Sequence, residues 1–185
     1  MRPERAELLG LLREFSFRQG DFVLASGKRS SFYVDVRRTA LTARGATLIG
    51  TLMHEELGRA GWSPRGVGGL TMGADPLVTA TSVMALSRGQ DISAFLVRKE
   101  PKGHGTRSRV EAAGDLHAGD SVVVLDDTVT SGASTVAAIE AAWEAGWRVI
   151  GAIAVVDRCE GAAGCIEATG VPFRSLFTVA DLASG

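Results

Sequence analysis

The stretch VVVLDDTVTSGAST, residues 122–135, indicates the fold more clearly than any other part of the chain. Apolar, mostly β-branched residues run directly into two adjacent carboxylates, Asp126 and Asp127, and then into a turn of threonine, serine and glycine. A continuously apolar strand is typical of a parallel sheet that is covered on both faces. The sequence therefore predicts a buried strand that carries charge and hydroxyl groups from its carboxyl end into a helix.

The segments on either side repeat this pattern of strand followed by helix. Apolar runs predict strands at 66–70, 92–97, 121–125, 149–156 and 173–177, and helical spacing predicts helices at 3–19, 42–61, 74–89 and 131–146. Residues 20–38 read as two short extended pieces around a Ser26-Gly27 turn. Such alternation predicts an α/β fold with a mostly parallel central sheet and helices on both faces. The polar segment 98–118 is expected to be one long loop, and loops of this length are usually functional or disordered.

Bulk composition narrows the class of protein. A length of 185 residues suits one domain, and a net charge of −1 gives no global basic field for nucleic acid. The charged N-terminus lacks the apolar core of a signal peptide, and no apolar run reaches the roughly 18 residues of a membrane span. Cys159 and Cys165 are too few for a disulfide framework, which fits thiols in a reducing compartment. We therefore expect a cytoplasmic protein that binds neither nucleic acid nor membrane.

The predicted strands end in a common chemistry. Their carboxyl ends deliver, in chain order, Thr71 to Gly73, Arg98 and Lys99, Asp126 and Asp127, and Asp157 and Arg158. Ligands bind at this edge of an open parallel sheet. The arrangement therefore predicts a binding site there, although strand ends that simply reach solvent are the plainer alternative.

The turn after Asp127 has the features of a phosphate cradle. A helix N-terminus offers unpaired N–H groups and partial positive charge, and threonine and serine hydroxyls add further donors. The two carboxylates would repel a phosphate, so they suit neutral hydroxyls or a divalent cation beside it. The sequence lacks the G-x-x-x-x-G-K-[ST] of a P-loop, and GVGGLTMG is not a dinucleotide fingerprint. A phosphorylated sugar offers both chemistries side by side.

These residues resemble the motif for 5-phospho-α-D-ribose 1-diphosphate (PRPP) of the type I phosphoribosyltransferases. Three further stretches, GDFVLASGKRSSFYVDVRR, VRKEPKGHG and VVDRCEG, resemble the orotate phosphoribosyltransferases within that family. The resemblance implies transfer of the phosphoribosyl group to orotate, giving orotidine 5′-monophosphate and pyrophosphate in pyrimidine (UMP) synthesis. It also implies the family fold as a single domain, with residues 1–40 as a small N-terminal hood and 98–118 as a mobile catalytic loop.

The resemblance further implies a role for each matching residue. Asp126 and Asp127 would hold the ribose hydroxyls, directly or through Mg²⁺ and water. The 5′-phosphate would be wrapped by Thr128, Val129, Thr130, Ser131, Gly132, Ala133 and Ser134. The pyrophosphate would be gripped by Arg98, Lys99, Lys102 and His104, with His104 a candidate acid. Orotate would be bound by Phe32, Tyr33, Thr130 and Arg158.

The loop and its partners follow from the same resemblance. Two of only three lysines, Lys99 and Lys102, lie within four residues of each other, which independently suits a cationic loop beside a phosphate site. In the family this loop closes over the neighbouring subunit's site, which implies a homodimer, and Mg²⁺ arrives bound to PRPP instead of in a protein cage. The chain departs from the family at Ala25 and Met72, where many members have lysines that contact the phosphates.

Two other functions stay open at the level of sequence. A purine or uracil phosphoribosyltransferase would share the phosphate cradle, although a cation such as Arg158 aimed at the base favours a carboxylated pyrimidine. A non-catalytic regulator that senses PRPP would tolerate loss of the loop cations, which this chain retains.

Overall fold

The computed structural model describes residues 2–23, 29–100 and 109–184. Within these ranges a six-stranded sheet has the order β5-β4-β3-β6-β7-β8. Its strands are β3 Gly66–Leu70, β4 Ser93–Val97, β5 Val110–Ala112, β6 Ser121–Val129, β7 Arg148–Asp157 and β8 Phe173–Thr178. Neighbouring strands are parallel except β5, which runs antiparallel to β4. The predicted α/β class with a mostly parallel sheet is confirmed.

Helices cover both faces of this sheet. They are α1 Pro3–Leu11, α2 Arg37–Ala40, α3 Ala43–Arg59, α4 Asp75–Leu86, α5 Ala133–Glu144, α6 Ala162–Glu167 and α7 Val179–Ala183. Side chains alternate along β6: Val123 and Leu125 join the core beneath α3 and α4, while Val122 and Val124 join the core beneath α5 and α6. Because both faces of β6 are buried there, residues 122–125 are apolar at every position and not at every second one.

A separate hairpin precedes the sheet. Strands β1 Phe17–Val23 and β2 Arg29–Val34 pair antiparallel, with Phe17 opposite Val34. The predicted helix over 3–19 is wrong at its end, because α1 gives way to a π-helical turn at Leu12–Ser16 and the chain is extended from residue 17. Pairing with β2 fixes the backbone there, and the local apolar spacing could not reveal that partner.

Two further boundaries differ from the sequence-based expectations. The strand predicted at 121–125 continues to Val129, so both carboxylates lie within β6 and pair with β7 instead of following the strand. The segment 98–118 is not wholly a loop, because Val110–Ala112 forms the edge strand β5. Sheet hydrogen bonds from neighbouring strands decide both cases. Residues 101–108 lie outside the described residues.

The strand order creates one topological switch point. From β3 the chain crosses through α4 to β4 on one side, whereas β6 lies on the other side of β3 and leads through α5 to β7. The connections after β3 and β6 therefore diverge and leave a crevice at their carboxyl ends. This is where open α/β sheets bind ligands. Every helix in the described part of the chain is too short or too polar to cross a bilayer.

Candidate active site

A cavity of about 250 Å³ occupies the crevice between β3 and β6. It is lined by Arg37, Leu70, Thr71, Met72, Gly73, Lys99, Asp126, Asp127, Thr128 and Ser134. A second cavity of about 100 Å³ adjoins it around the start of α5, and both contain Asp126, Thr128 and Ser134. The structure therefore brings together the predicted acids, the predicted hydroxyl turn and two cations.

Asp126 lies almost completely inside the protein, with 7% of its surface exposed. The buried hydroxyl of Thr135 donates to its Oδ2 over 2.7 Å, and the backbone N–H of Asp127 donates to its Oδ1 over 2.9 Å. Burial raises the pKa of Asp126 to about 7, opposed by the Thr135 hydrogen bond and reinforced by the charge of Asp127. This carboxylate therefore titrates in the physiological range.

Asp127 points into the larger cavity. Its Oδ1 accepts a 2.7 Å hydrogen bond from the Thr128 N–H. Burial raises the pKa of Asp127, while that hydrogen bond and the positive charge of Arg37 act in the opposite direction. Two acids whose protonation is this sensitive to their surroundings suit a site that binds a cation or a diol.

Glycine allows the loop after β3 to approach this acid. A Cβ on Gly73 would lie 2.7 Å from Asp127 Oδ1, closer than real Cβ atoms pack. The peptide bond between Thr71 and Met72 in this loop is cis. The Thr71 hydroxyl donates to Asp75 Oδ2 over 2.8 Å, which ties the loop to the first turn of α4. Backbone atoms of residues 71–73 thus form one wall of the cavity.

The turn at 130–134 forms the smaller cavity. Gly132 has φ +85°, a left-handed conformation that favours glycine, and a Cβ there would lie 3.0 Å from the Ala162 carbonyl. Helix α5 begins at the next residue, and no side chain caps it. The Ala133 N–H has only a 3.5 Å contact to the Ser131 hydroxyl, and the N–H groups of Ser134 and Thr135 form no hydrogen bond with any described residue, so this first turn can bind a ligand.

One buried polar atom of the site, the hydroxyl oxygen of Thr128, lacks a hydrogen-bond partner among the described residues. The Thr128 hydroxyl oxygen is buried and forms no hydrogen bond with any described residue. It lies between the two cavities, since Thr128 lines both. A buried hydroxyl without a partner is unfavourable, so a ligand oxygen at this point would restore its hydrogen bond.

The predicted cations divide into three groups. Lys99 lines the larger cavity. Arg98 lies on the adjoining strand end but pairs with Glu111 of β5 over 3.3 Å. Lys102 and His104 lie outside the described residues.

Arg37 is a cation at the cavity that the sequence reasoning missed. It is held by a bidentate pair with Asp35, at 2.8 and 3.2 Å, and that hydrogen-bonded pair raises the pKa of Arg37. The signal in the sequence was the D-x-R spacing at the end of β2, which places both residues at the start of α2.

Arg158 directly follows β7 and lies beside the end of β6. Its backbone N–H donates to the Val129 carbonyl over 3.0 Å, immediately before Thr130. Its guanidinium is buried and stacks on Phe32, with its carbon 4.6 Å from the ring centroid. The structure therefore brings Phe32, Thr130 and Arg158 together.

Tyr33 takes a different position from Phe32. Consecutive residues of a strand face opposite sides, and Tyr33 packs against Phe22 with ring centroids 5.8 Å apart. Its side chain is 39% exposed. Of the two aromatic residues predicted to flank the base, Phe32 is the one whose ring contacts Arg158.

The site offers a partial oxygen set for a divalent cation. The described residues contain no cluster of three or more histidine, cysteine, aspartate or glutamate side chains that could hold a metal. The adjacent carboxylates of Asp126 and Asp127 are nevertheless the hard oxygen ligands that Mg²⁺ prefers, and Mg²⁺ usually completes its shell with water and substrate phosphates. The donor set therefore fits a magnesium ion that is carried by a phosphorylated ligand.

Comparisons with known proteins identify the family. No family model matches the chain. It is 46% identical over 178 residues to an orotate phosphoribosyltransferase of Thermosynechococcus vestitus, covering 96% of this chain and 92% of that one. It is 47% identical over 178 residues to the enzyme of Corynebacterium glutamicum, covering 96% and 93%. A crystal structure of Mycobacterium tuberculosis orotate phosphoribosyltransferase in complex with PRPP matches with a TM-score of 0.81 and 41% identity, over 98% of this chain and 99% of that one. The chain therefore belongs to the orotate phosphoribosyltransferase family.

Proposed function

We propose that this chain transfers the 5-phosphoribosyl group of PRPP to orotate, giving orotidine 5′-monophosphate and pyrophosphate in pyrimidine synthesis. The observation that carries this proposal is the order of groups along one sheet edge. An uncapped helix N-terminus, a pair of buried acids and a buried arginine over an aromatic ring lie on neighbouring strand ends. They correspond to the phosphate, the ribose diol and the carboxylated base of the two substrates.

Residues 128–134 bind the 5′-phosphate in this proposal. The first N–H groups of α5 and the hydroxyls of Thr130, Ser131 and Ser134 donate to phosphate oxygens, and the helix dipole favours the anion. The unpartnered Thr128 hydroxyl supports this assignment, because a phosphate or ribose oxygen would satisfy it. Asp126 and Asp127 then accept hydrogen bonds from the ribose hydroxyls.

The pyrophosphate is assigned to the larger cavity. Lys99, Arg37 and the backbone of residues 71–73 line it. Arg37 supplies a positive charge close to Met72, where many family members have a lysine. Arg98, Lys102 and His104 complete this subsite in the proposal, with His104 able to protonate a leaving oxygen.

The magnesium ion is proposed to arrive with PRPP and to contact Asp126 and Asp127 through oxygen or water. When bound, it neutralises charge on the leaving pyrophosphate. Residues 128–134 fix the position of the ribose phosphate. The cations of the larger cavity stabilise the negative charge that develops on the pyrophosphate as its bond to C1 breaks. Closing the site excludes water that would otherwise attack the sugar cation.

Orotate is assigned to the space beside Phe32, Tyr33, Thr130 and Arg158. A buried guanidinium suits the carboxylate of orotate, which uracil and the purines lack. This feature favours orotate over the other bases that a phosphoribosyltransferase could take.

We also propose a homodimer in the cytoplasm. Leu41, Val83 and Leu86 are exposed large apolar residues, at 76, 61 and 65%. An apolar groove of about 460 Å³ lies among α2, α3 and α4, and Leu41 and Val83 line it. Exposed apolar surface of this kind marks interfaces. The free, exposed thiols of Cys159 and Cys165 fit a reducing compartment.

The domain organisation is part of the same proposal. Residues 1–185 act as one domain, with residues 1–40 as a hood over the base and the segment 98–118 as the catalytic loop. Ser30 supports the hood assignment, because its hydroxyl accepts a hydrogen bond from Arg158 over 3.3 Å. In the dimer, that loop acts in the partner's site.

The test of the reaction is loss of orotate absorbance in the presence of PRPP and Mg²⁺, with EDTA in a parallel sample. We expect turnover that stops with EDTA, and no consumption of uracil, adenine or hypoxanthine. Turnover of one of those bases instead of orotate would overturn the assignment of the base. PRPP binding without any turnover would indicate a regulator instead of an enzyme.

Two variants test the loop and the dimer. Lys102→Ala should reduce kcat by about tenfold or more, because a cation at the leaving group acts mainly in the transition state.

Leu41→Glu should lower the mass in light scattering to that of a monomer and abolish turnover, whereas Trp143→Glu, an exposed apolar site on α5, should change neither. Full turnover by a monomeric Leu41→Glu variant would refute the shared site.

A further inference from the structure

Arg158 is held in place by three neighbours. Its Nε donates to Glu160 Oε1 over 2.8 Å, and its Nη2 lies 2.7 Å from the same oxygen. Nη2 also donates to the Ser30 hydroxyl over 3.3 Å, and the guanidinium stacks on Phe32. Because a guanidinium is planar and its donors form a rigid fork, these contacts fix both its plane and its rotation.

One nitrogen of this guanidinium, Nη1, lacks a hydrogen-bond acceptor among the described residues. Nη1 of Arg158 forms no hydrogen bond with any described residue and is absent from the buried polar atoms that lack a partner. Because Nε and Nη2 of the guanidinium already contact Glu160, the N–H groups of Nη1 are the donors that remain for a ligand.

A short turn in the backbone brings Glu160 back onto Arg158. Cys159 has φ +59°, an uncommon conformation for a residue with a side chain, and its N–H donates to Asp157 Oδ1 over 2.8 Å. Gly161 follows with φ +105°. This turn follows the end of β7, and within it the Glu160 carboxylate contacts the Arg158 guanidinium.

We propose that Glu160 is a positioning residue that orients Arg158 toward the carboxylate of the base. The inference depends on the assignment of orotate to this site, and it adds a residue that contacts no substrate. Glu160 is the counter-ion that keeps the buried guanidinium paired and aligned before the base arrives. The substrate carboxylate then binds at Nη1, the donor that Glu160 leaves free.

This role predicts an effect on base recognition alone. Loss of the Glu160 carboxylate lets the guanidinium rotate away, so orotate loses its aligned donor. PRPP contacts other strand ends and should bind as before. The preference for orotate over uracil should also weaken, because that preference comes from the carboxylate.

The experiment compares Glu160→Ala and Glu160→Gln with Glu167→Ala, an exposed control on α6. For Glu160→Ala we expect the orotate KM to rise about tenfold, the size expected when a charge-assisted hydrogen bond is misaligned. The PRPP KM should stay within about twofold. Glu160→Gln keeps an acceptor oxygen, so it should recover most of the orotate affinity.

Three outcomes overturn the proposal. An unchanged orotate KM in Glu160→Ala would mean that Glu160 does not orient the guanidinium, and a lowered KM would mean that it competes with the substrate. Equal increases in the orotate and PRPP KM values would indicate a general structural defect. Failure of the wild-type protein to use orotate at all would instead refute the proposed function, so the two failures can be told apart.

Discussion

Replacing Thr135 with valine tests how the fold keeps a carboxylate buried next to its substrate site. The two side chains have nearly the same shape, but valine cannot donate the 2.7 Å hydrogen bond to Asp126 Oδ2. Thr135 is 1% exposed, so water cannot take over as the donor. The substitution therefore removes one hydrogen bond to a buried acid and leaves the packing largely unchanged.

The size of the effect depends on whether Asp126 is charged. A hydrogen bond to a charged group contributes about 1.5–3 kcal/mol to stability, and one to a neutral group about 0.5–1.5 kcal/mol. The pKa of Asp126 is about 7. We therefore expect a loss in the free energy of unfolding of about 2 kcal/mol near pH 9 and about 1 kcal/mol near pH 5.

The raised pKa of Asp126 determines how the stability of the fold changes with pH. The pKa of folded Asp126 is raised above its ordinary value of 3.8, so ionisation of this group opposes folding and its contribution to stability falls as pH rises toward about 7. Without the Thr135 hydroxyl, which lowers that pKa, the folded pKa rises further. The variant therefore keeps losing stability as the pH rises above about 7, where the loss in the wild type has levelled off.

The assay is urea denaturation at both pH values, at one fixed protein concentration. Thr81→Val is the matched control, because Thr81 is equally buried but donates to the neutral carbonyl of Leu77 over 2.7 Å. Its loss should be the same at both pH values. In an Asp126→Asn background the pH dependence of Thr135→Val should disappear. An equal loss at both pH values for Thr135→Val itself would refute the link between this hydroxyl and the charge of Asp126.

Three further predictions concern the cavity between β3 and β6. Arg37→Ala should raise the PRPP KM about tenfold, because it removes a charge-assisted contact. Arg38 is exposed and does not line the cavity, so Arg38→Ala should leave the PRPP KM unchanged. Equal effects of the two substitutions would show that Arg37 does not belong to the pyrophosphate subsite. Gly73→Ala should lower kcat/KM for PRPP, because its Cβ would lie 2.7 Å from a carboxylate oxygen in the cavity, while Gly114→Ala has no atom within 4 Å and should behave as wild type. The PRPP KM should fall as pH rises through about 7, where Asp126 ionises and becomes a better acceptor and metal ligand; a KM that is flat between pH 6 and about 8 would contradict the raised pKa.

The α/β class could be predicted from the sequence alone, and so could the sheet edge at which the candidate site lies. A strand that is buried on both faces has apolar residues at every position, without alternation of apolar and polar residues. Residues 122–125 therefore predicted a parallel sheet that is covered on both faces. The turn that carries the following acids and hydroxyls could also be predicted, because a helix N-terminus and the turn before it are local structures. The predicted grouping of strand ends at one edge is confirmed by the parallel pairing of β4, β3, β6 and β7.

The surroundings of these groups could not be predicted from local sequence, because they depend on contacts between distant parts of the chain. The end of the first helix, the extent of β6 and the existence of β5 depend on hydrogen bonds to strands far away in the chain. The contribution of Arg37 to the cavity depends on how the chain folds back after β2. The pKa of Asp126 depends on burial, and the stacking of Arg158 on Phe32 joins segments that are far apart in the chain. Local patterns specify which groups a strand end carries, whereas desolvation and contacts between distant segments set their charge, orientation and partners.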